Sequence, residues 1–493
     1  MLPQEPAATG TNGKNGALPP GLPWPALPEM TAAQDPAGKL AKMIIETPYE
    51  SIPASIVDLA KQAIFDTLAV TIAGSSWQVS PQIVEQVTEW GGAPQSPILV
   101  YGTKVPAPAA AFANGVMARC IDMGDVHESA GHLTEWNVPT MLAALGMTEK
   151  KVSGREFIAA YLTGCELGVR TFVAINALIH TNDGIIGEFH GSLIAAASVS
   201  RILGLTVDET WNALGICYSV HSLSEMQKYP EGTQMARVQH GFTGETAIKA
   251  VALTRRGITA PKGIYMGYPG GVLRRIPWSG VDPDKLTDGL GKKWLYADGL
   301  SMKPYSGCKF THSFIAATVD VMAEHKIDHR DIAAITCVGS LAAKLCTVPA
   351  EHKWNPQSTA ECLFSAPYMI ATAVLRGDVF ITDFEEKERF RPDKRELMQK
   401  ITITHDPAIK DDFEGYSVEI SLNDGRRFRH VTPYVKGHTH NRMTWDDLTS
   451  KFWKCTSYAA VPLPEAKLQR LIELCKSLED LPDMREVVEA MTP

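Results

Sequence analysis

For roughly two hundred residues after position 54, apolar side chains return every three or four positions, the spacing of one face of an α-helix. Ile56, Leu59, Ala60, Ala63, Ile64 and Leu68 keep that spacing until Gly74, which reads as a stop. Phe157 to Ile175 is apolar nearly all round, as a helix covered on most sides requires. Thr206 and Glu209 stand at capping-box spacing before another helix, and the run from Glu245 to Arg256 ends at Gly257. Such stripes are buried by packing helix on helix, so the first half reads as a helical bundle.

Between roughly 300 and 435 the period changes. Ala334 to Val338 and Ile401 to Thr404 are short, apolar and β-branched. Tyr416 to Ile420 is joined to Arg427 to Thr432 across Asn423-Asp424-Gly425, a hairpin signal. Helical stretches at about 312–324 and 366–376 interleave, and after about 440 helical spacing resumes through Leu468, Leu471, Ile472 and Cys475. The expected fold is therefore mainly α: a large all-helical domain formed by residues 33–298 and 436–493, with an inserted smaller α+β lid domain at 299–435. Residues 1–32 hold seven prolines and little that packs, and are expected to be a disordered tail.

A chain of 493 residues with 45% hydrophobic content can bury a large core. Its net charge of −8 excludes a general nucleic-acid binder, so an anionic ligand needs a local cationic pocket. Nine cysteines without a CxxC pair read as reduced thiols of an intracellular protein. No apolar run reaches the ~18 residues that span a bilayer, so no membrane is expected as a partner. The N-terminus has no secretion-signal layout, and the first arginine is Arg119, unlike an Arg-rich transit peptide. A cytoplasmic location is expected ahead of a mitochondrial one.

Four stretches hold residues that carry chemistry. Asp122, Asp125, His127 and His132 lie within the glycine-containing segment Ile121 to His132, which reads as a turning backbone that presents side chains. Spacing alone also fits a solvated acidic loop. A zinc site through His127-Glu128 fits poorly, because the second histidine is five residues on, about 140° round a helix. His190, in Gly187 to Gly191 before the apolar run Ser192 to Leu203, is placed to meet an anion at a helix start or to cap and pack there. Arg237, in Met235 to Gly241, offers a planar fork to a carboxylate or to a structural acid, with His240 near it. Lys303, in Met302 to Lys309, precedes a proline and belongs to an extended loop at the boundary of bundle and insertion, where a surface charge is the alternative. Cys308 on that loop lacks the His and Asp partners of a nucleophile.

Together these stretches resemble the MmgE/PrpD family, which includes 2-methylcitrate dehydratase, cis-aconitate decarboxylase and iminodisuccinate epimerase. The resemblance rests on the acidic loop Ile121 to Val126 with Gly131-His132, on His190-Gly191, on Arg237-Val238-Gln239-His240-Gly241 and on Lys303-Pro304-Tyr305-Ser306-Gly307-Cys308. Phe364-Ser365-Ala366-Pro367-Tyr368 adds to it, and the match runs from about residue 35 to the C-terminus. It implies a helical domain with an α+β lid, commonly as a homodimer. It also implies catalytic residues at Asp122, His132, His190 and Lys303, with substrate contacts at Arg237, His240, Asp125 and Tyr305. Val126 stands where the family usually has threonine, and Arg237 where some members have lysine.

Reactions of this family share the build-up of negative charge on carbon next to a carboxylate, which fixed cations and a proton-transfer group must stabilise. Arg237, Lys303 and protonated His190 are expected to hold the carboxylates, His132 to move the proton, and Asp122 to orient or balance them. No metal or organic cofactor is required. The leading expectation is dehydration of a citrate-like tricarboxylate, because Gly131-His132 with Thr134-Glu135 is similar to the dehydratase form of the motif. Decarboxylation of a cis-aconitate-like acid or epimerisation is the alternative within the family, and a non-catalytic dimeric helical scaffold the alternative outside it.

Overall fold

The computed structural model describes residues 30–175, 188–220, 228, 231–267, 271–275 and 281–493. The expected N-terminal tail lies, up to residue 29, outside the described residues, as does Gly187. The fold is mainly α with a smaller α+β part, and its apolar residues form two cores. The larger core gathers helices from both ends of the chain. The smaller one is built from residues between 308 and 422, joined by Val126 and Ala236.

In the larger core the helices Ala54–Gly74 and Gly154–Ile175 follow their apolar periodicity. Gly154–Ile175 is long and apolar enough to cross a membrane by those criteria, more apolar than its sequence reading allowed. Yet 94% of its most apolar window is packed inside the protein, so it is a core helix. Thr206 and Glu209 exchange their capping-box bonds ahead of the helix Val207–Val220. The helix Met235–Thr254 starts earlier than the run from Glu245 suggested, so Arg237 and His240 lie inside it, one turn apart. It crosses Ala107–Cys120 at close range. A Cβ on Gly241 would stand 2.6 Å from the Phe112 carbonyl oxygen, and one on Gly115 3.0 Å from that of His240. Glycine at both crossing points lets the backbones approach and brings His240 over the end of the helix that carries Arg119.

The C-terminal helix Trp445–Thr456 returns to this core, where Phe452 stacks on Phe65 with ring centroids 5.0 Å apart. The smaller core is a four-stranded sheet with helices His312–Glu324 and Ala366–Arg376. Its strand order is Ile401–His405, Ile332–Gly339, Ser417–Leu422, Arg427–Val431, with the first pair parallel and the others antiparallel. The Asn423-Asp424-Gly425 turn joins the last two strands, with Gly425 in the left-handed region at φ 90°.

Candidate active site

A short antiparallel ribbon carries the site. Asp125–His127 pairs with Leu300–Met302, with Asp125 opposite Met302. This pairing sets the loop after Met302, which begins with Lys303, beside the loop that holds Asp122. Asp122 lies just beyond the helix Ala107–Cys120, at φ 50°, a left-handed conformation that a short polar side chain tolerates better than most. Its backbone N–H bonds the Arg119 carbonyl at 3.0 Å, and its own carbonyl accepts the Gly307 N–H at 3.0 Å. The chain then turns back at Gly131, φ 66°, whose N–H and carbonyl both bond His127. Asp125, fully buried, accepts the Thr134 N–H and so anchors the start of the helix Thr134–Ala144 just after His132. Burial pushes the Asp125 carboxyl up to about 6.

Lys451, from the returning C-terminal helix, ties these pieces together. Its ammonium donates to the carbonyls of Met123 at 2.7 Å and Lys303 at 2.8 Å, and pairs with Asp66 at 2.7 Å. One buried cation thereby joins the two active loops to the first long helix.

Asp122 is the hub of a buried charge cluster. It pairs with Arg119, with the Lys303 ammonium at 2.7 Å and with the Arg237 guanidinium at 3.6 Å. Burial by itself would raise its carboxyl, but Arg119, Lys303 and Arg237 hold it well below the usual range. Arg237 reaches Asp122 from behind and stands over the Phe364 ring at 5.5 Å, off the cleft wall.

The cleft itself is lined by Arg119, Asp122, His132, His190, His240 and Lys303 on its polar side. It encloses about 760 Å³ between its walls, mouth included. Val126, Phe310, Leu345, Phe364 and Phe413 form an apolar wall contributed mostly by the smaller core. Lys309 also borders this wall, but its ammonium pairs with Glu414 at 2.8 Å and is neutralised there. His190 sits in the first turn of Glu188–Ile202, inside the helix and not ahead of it. Its ring lies edge-on to Trp136 and Phe172, with centroids 4.7 and 4.0 Å away.

His132 Nδ1 lies 2.8 Å from the Asp125 carbonyl oxygen, and a carbonyl only accepts, so Nδ1 carries the hydrogen. Burial, then the cations Arg119 and Lys303, hold the ring well below its usual range, so it is neutral. Its Nε2 therefore bears a lone pair. Glu135 Oε2 is 3.1 Å from the same Nδ1 and 3.5 Å from Nδ1 of His240. Burial pushes the Glu135 carboxyl up to about 8, against the opposing pull of Arg119.

Of the residues singled out from sequence, Asp122, His132, His190, His240 and Lys303 converge on the cleft. Arg237, Asp125 and Tyr305 do not line it: Arg237 and Asp125 support it from behind, while the Tyr305 ring packs edge-on to His312 at 5.5 Å. His127 also stands apart, its Nε2 bonding the Leu295 carbonyl and its Nδ1 accepting the Ser129 N–H, which leaves no nitrogen for a metal. Arg119, Lys451 and the role of Glu135 escaped the sequence reading. Two of them were within reach, since Arg119 precedes Asp122 by three residues and Glu135 follows His132 by three.

The buried carboxyl of Glu135 makes a pH prediction. Its folded value is raised to about 8, so the native chain holds a proton that the unfolded chain releases near 4.5. The contribution to stability is full below the unfolded value and is lost as pH rises through about 8. In Glu135→Gln the fall in urea midpoint between about pH 5 and about pH 8 should shrink relative to wild type. Equal falls in both proteins would mean that Glu135 is ionised in the fold.

Comparison with known proteins decides the family. Residues 38–275 match the MmgE/PrpD N-terminal domain, and residues 305–478 match the MmgE/PrpD C-terminal domain. The chain belongs to the MmgE/PrpD family. This family member is similar to the cis-aconitate decarboxylase-like protein oryM of Aspergillus oryzae, 25% identical over 470 residues, covering 91% of this chain and 96% of that protein. It is similar to cis-aconitate decarboxylase of Aspergillus terreus, 25% identical over 463 residues, with 90% and 93% covered. It is also similar to 2-methylcitrate dehydratase of Cupriavidus necator, 25% identical over 434 residues, with 80% and 84% covered. These names describe lyases, and lyase activity is what membership of the MmgE/PrpD family supports for this chain.

Proposed function

We propose that this MmgE/PrpD protein dehydrates a citrate-like tricarboxylate of the 2-methylcitrate or longer 2-alkylcitrate type, by proton transfer next to a carboxylate. The observation that carries the reading is the tautomer of His132. With Nδ1–H turned to the Asp125 carbonyl, the Nε2 lone pair is the ring atom left for the cleft, as a base requires. Lys303 and Arg119 bind the substrate carboxylates with His190 beside them, and Asp122 holds both cations in place. Removing the proton builds charge on carbon that these fixed cations stabilise without reorganising. The scheme uses only side chains of this chain.

The apolar wall of Val126, Phe310, Leu345, Phe364 and Phe413 supports an alkyl substituent on the substrate. Val126 matters here because it presents methyls where a threonine would present a hydroxyl. A second reading is decarboxylation of a cis-aconitate-like acid. It is favoured by the relatives aligned over 90% or more of this chain, which are named for cis-aconitate decarboxylase.

The test is incubation with citrate, 2-methylcitrate, a longer 2-alkylcitrate and cis-aconitate in deuterated water, with products followed by mass spectrometry. Loss of water from the alkylcitrates is expected, with kcat/KM rising about fourfold per added methylene, from ~0.8 kcal/mol for each one buried. Loss of carbon dioxide from cis-aconitate in place of that reaction would establish the second reading. No turnover of any of the four acids would overturn both.

A further inference from the structure

Two adjacent residues, Lys309 and Phe310, pair crosswise with two others, Phe413 and Glu414, to build part of the apolar wall of the cleft. The Lys309 ammonium donates to Glu414 Oε1 at 2.8 Å, across 105 positions of sequence. Beside it the Phe310 ring stacks on Phe413, with centroids 4.8 Å apart and planes 10° from parallel. All four side chains are buried. The loop that carries Phe413 and Glu414 is fixed, because the N–H groups of both donate to Asp411 Oδ1, at 2.9 and 3.2 Å. Glu414 Oε2 accepts the Val435 N–H at 2.9 Å, so both of its oxygens are committed. Lys309 has no other hydrogen-bond or ion-pair partner among the described residues. Lys309, Phe310 and Phe413 line the cleft, whereas Glu414 does not. The carboxylate therefore draws the ammonium back, and this part of the wall meets the cleft with two rings and a methylene stem.

We propose that Glu414 is a specificity-determining residue of this cleft: by holding the Lys309 ammonium it leaves the wall fit for an uncharged alkyl arm and closed to an arm that ends in a carboxylate. The proposal rests on the reading of the ligand as a citrate-like acid with an alkyl substituent. Among the described residues, the cations that line the cleft are Arg119, Lys303 and Lys309. Arg119 and Lys303 share the Asp122 carboxylate with Arg237, three cations to one anion, and so keep positive charge for the carboxylates of the substrate. Lys309 and Glu414 stand one to one and keep none.

Desolvation gives this discrimination its physical reason. A carboxylate brought against the wall would lose its water and meet an ammonium whose partner is already in place, so the loss would go uncompensated. An alkyl arm gives up no hydrogen bond there and covers the stacked rings. Replacing Glu414 with glutamine keeps the shape and an oxygen for the Val435 N–H, but it frees the ammonium. A carboxylate at the end of the arm would then become its partner, and one charge-assisted hydrogen bond is enough to shift binding by at least about tenfold.

The experiment compares two acids with arms of equal length, a 2-alkylcitrate and its counterpart whose arm ends in a carboxylate. Binding is measured by calorimetry in a His132→Ala background, where bound acid is not consumed, and loss of water is read separately with His132 in place. The native pair should bind the alkyl acid at least about tenfold tighter. Glu414→Gln should move that ratio at least about tenfold toward the carboxylate-ended acid. Lys309→Met with Glu414→Gln removes both charges together, so it should keep the ratio within about threefold, and it carries the test if Glu414→Gln fails to fold. Tighter binding of the carboxylate-ended acid by the native pair would overturn the proposal. So would an unchanged ratio in folded Glu414→Gln, or a tenfold loss of the carboxylate-ended acid alone in the double variant, which would mean that Lys309 already serves the ligand. The expected ratios without loss of water would overturn the dehydration reading and leave the role of Glu414 standing. If neither acid binds, the citrate-like reading fails, and the proposal with it.

Discussion

His132→Ala is expected to lower kcat by about 10²- to 10⁴-fold on whichever tricarboxylate the protein accepts, with KM little changed. The size follows from what the ring does: a positioned base acts in the transition state and adds little to ground-state binding. The fold should survive, because His132 sits at the cleft wall with 16% of its side chain exposed. Steady-state kinetics beside a far-ultraviolet circular dichroism spectrum read both outcomes. A folded variant that keeps more than a tenth of wild-type kcat would remove His132 from the base role. A variant indistinguishable from wild type in every property would return the scaffold alternative.

The second large effect concerns stability. Asp122→Asn removes the carboxylate that Arg119, Lys303 and Arg237 share, and leaves those cations facing one another in a buried site. Breaking a buried pair from one side typically costs about 3–5 kcal/mol, because an uncompensated charge remains. The same change in urea denaturation free energy is expected here, read at neutral pH. The pH dependence has a definite sign. The Asp122 carboxyl is held well below its usual range, so its contribution is present above the unfolded value of 3.8 and is lost as pH falls through the folded one. Wild type should therefore lose more of its stability in acid than Asp122→Asn does. A loss under about 1 kcal/mol at neutral pH would mean that other groups balance the three cations.

The two predictions depend on local sequence to different degrees. The Ile121 to His132 segment could be recognised as an unusual loop because carboxylates, imidazoles and glycines crowd it, and the glycines mark where the backbone turns. Its link to Lys303 could be drawn only by resemblance to a family. Residues 122 and 303 are brought together by a three-residue ribbon too short to show a strand period, and by the Lys451 ammonium on a helix near the end of the chain. Arg237 shows the opposite limit. Its side chain was legible as a carboxylate binder, and the carboxylate beside it is Asp122, a residue of the protein. Helix beginnings were likewise harder to place than helix interiors. The motifs around His190 and Arg237 lie within their helices because helical hydrogen bonding begins before the apolar periodicity of the helix interior can be read.

The amino-acid order alone determined the helical periodicity, the change to strand spacing between roughly 300 and 435, the Asn423-Asp424-Gly425 turn and the motifs of the family to which the chain belongs. Those features are short-range, since each depends on neighbours a few residues apart. Tertiary structure decided which cations face the cleft, which carboxyls burial pushes up and neighbouring cations pull down, and which imidazole nitrogen keeps a lone pair. These are matters of burial and of distances between segments remote along the chain, and electrostatic energies change steeply with both.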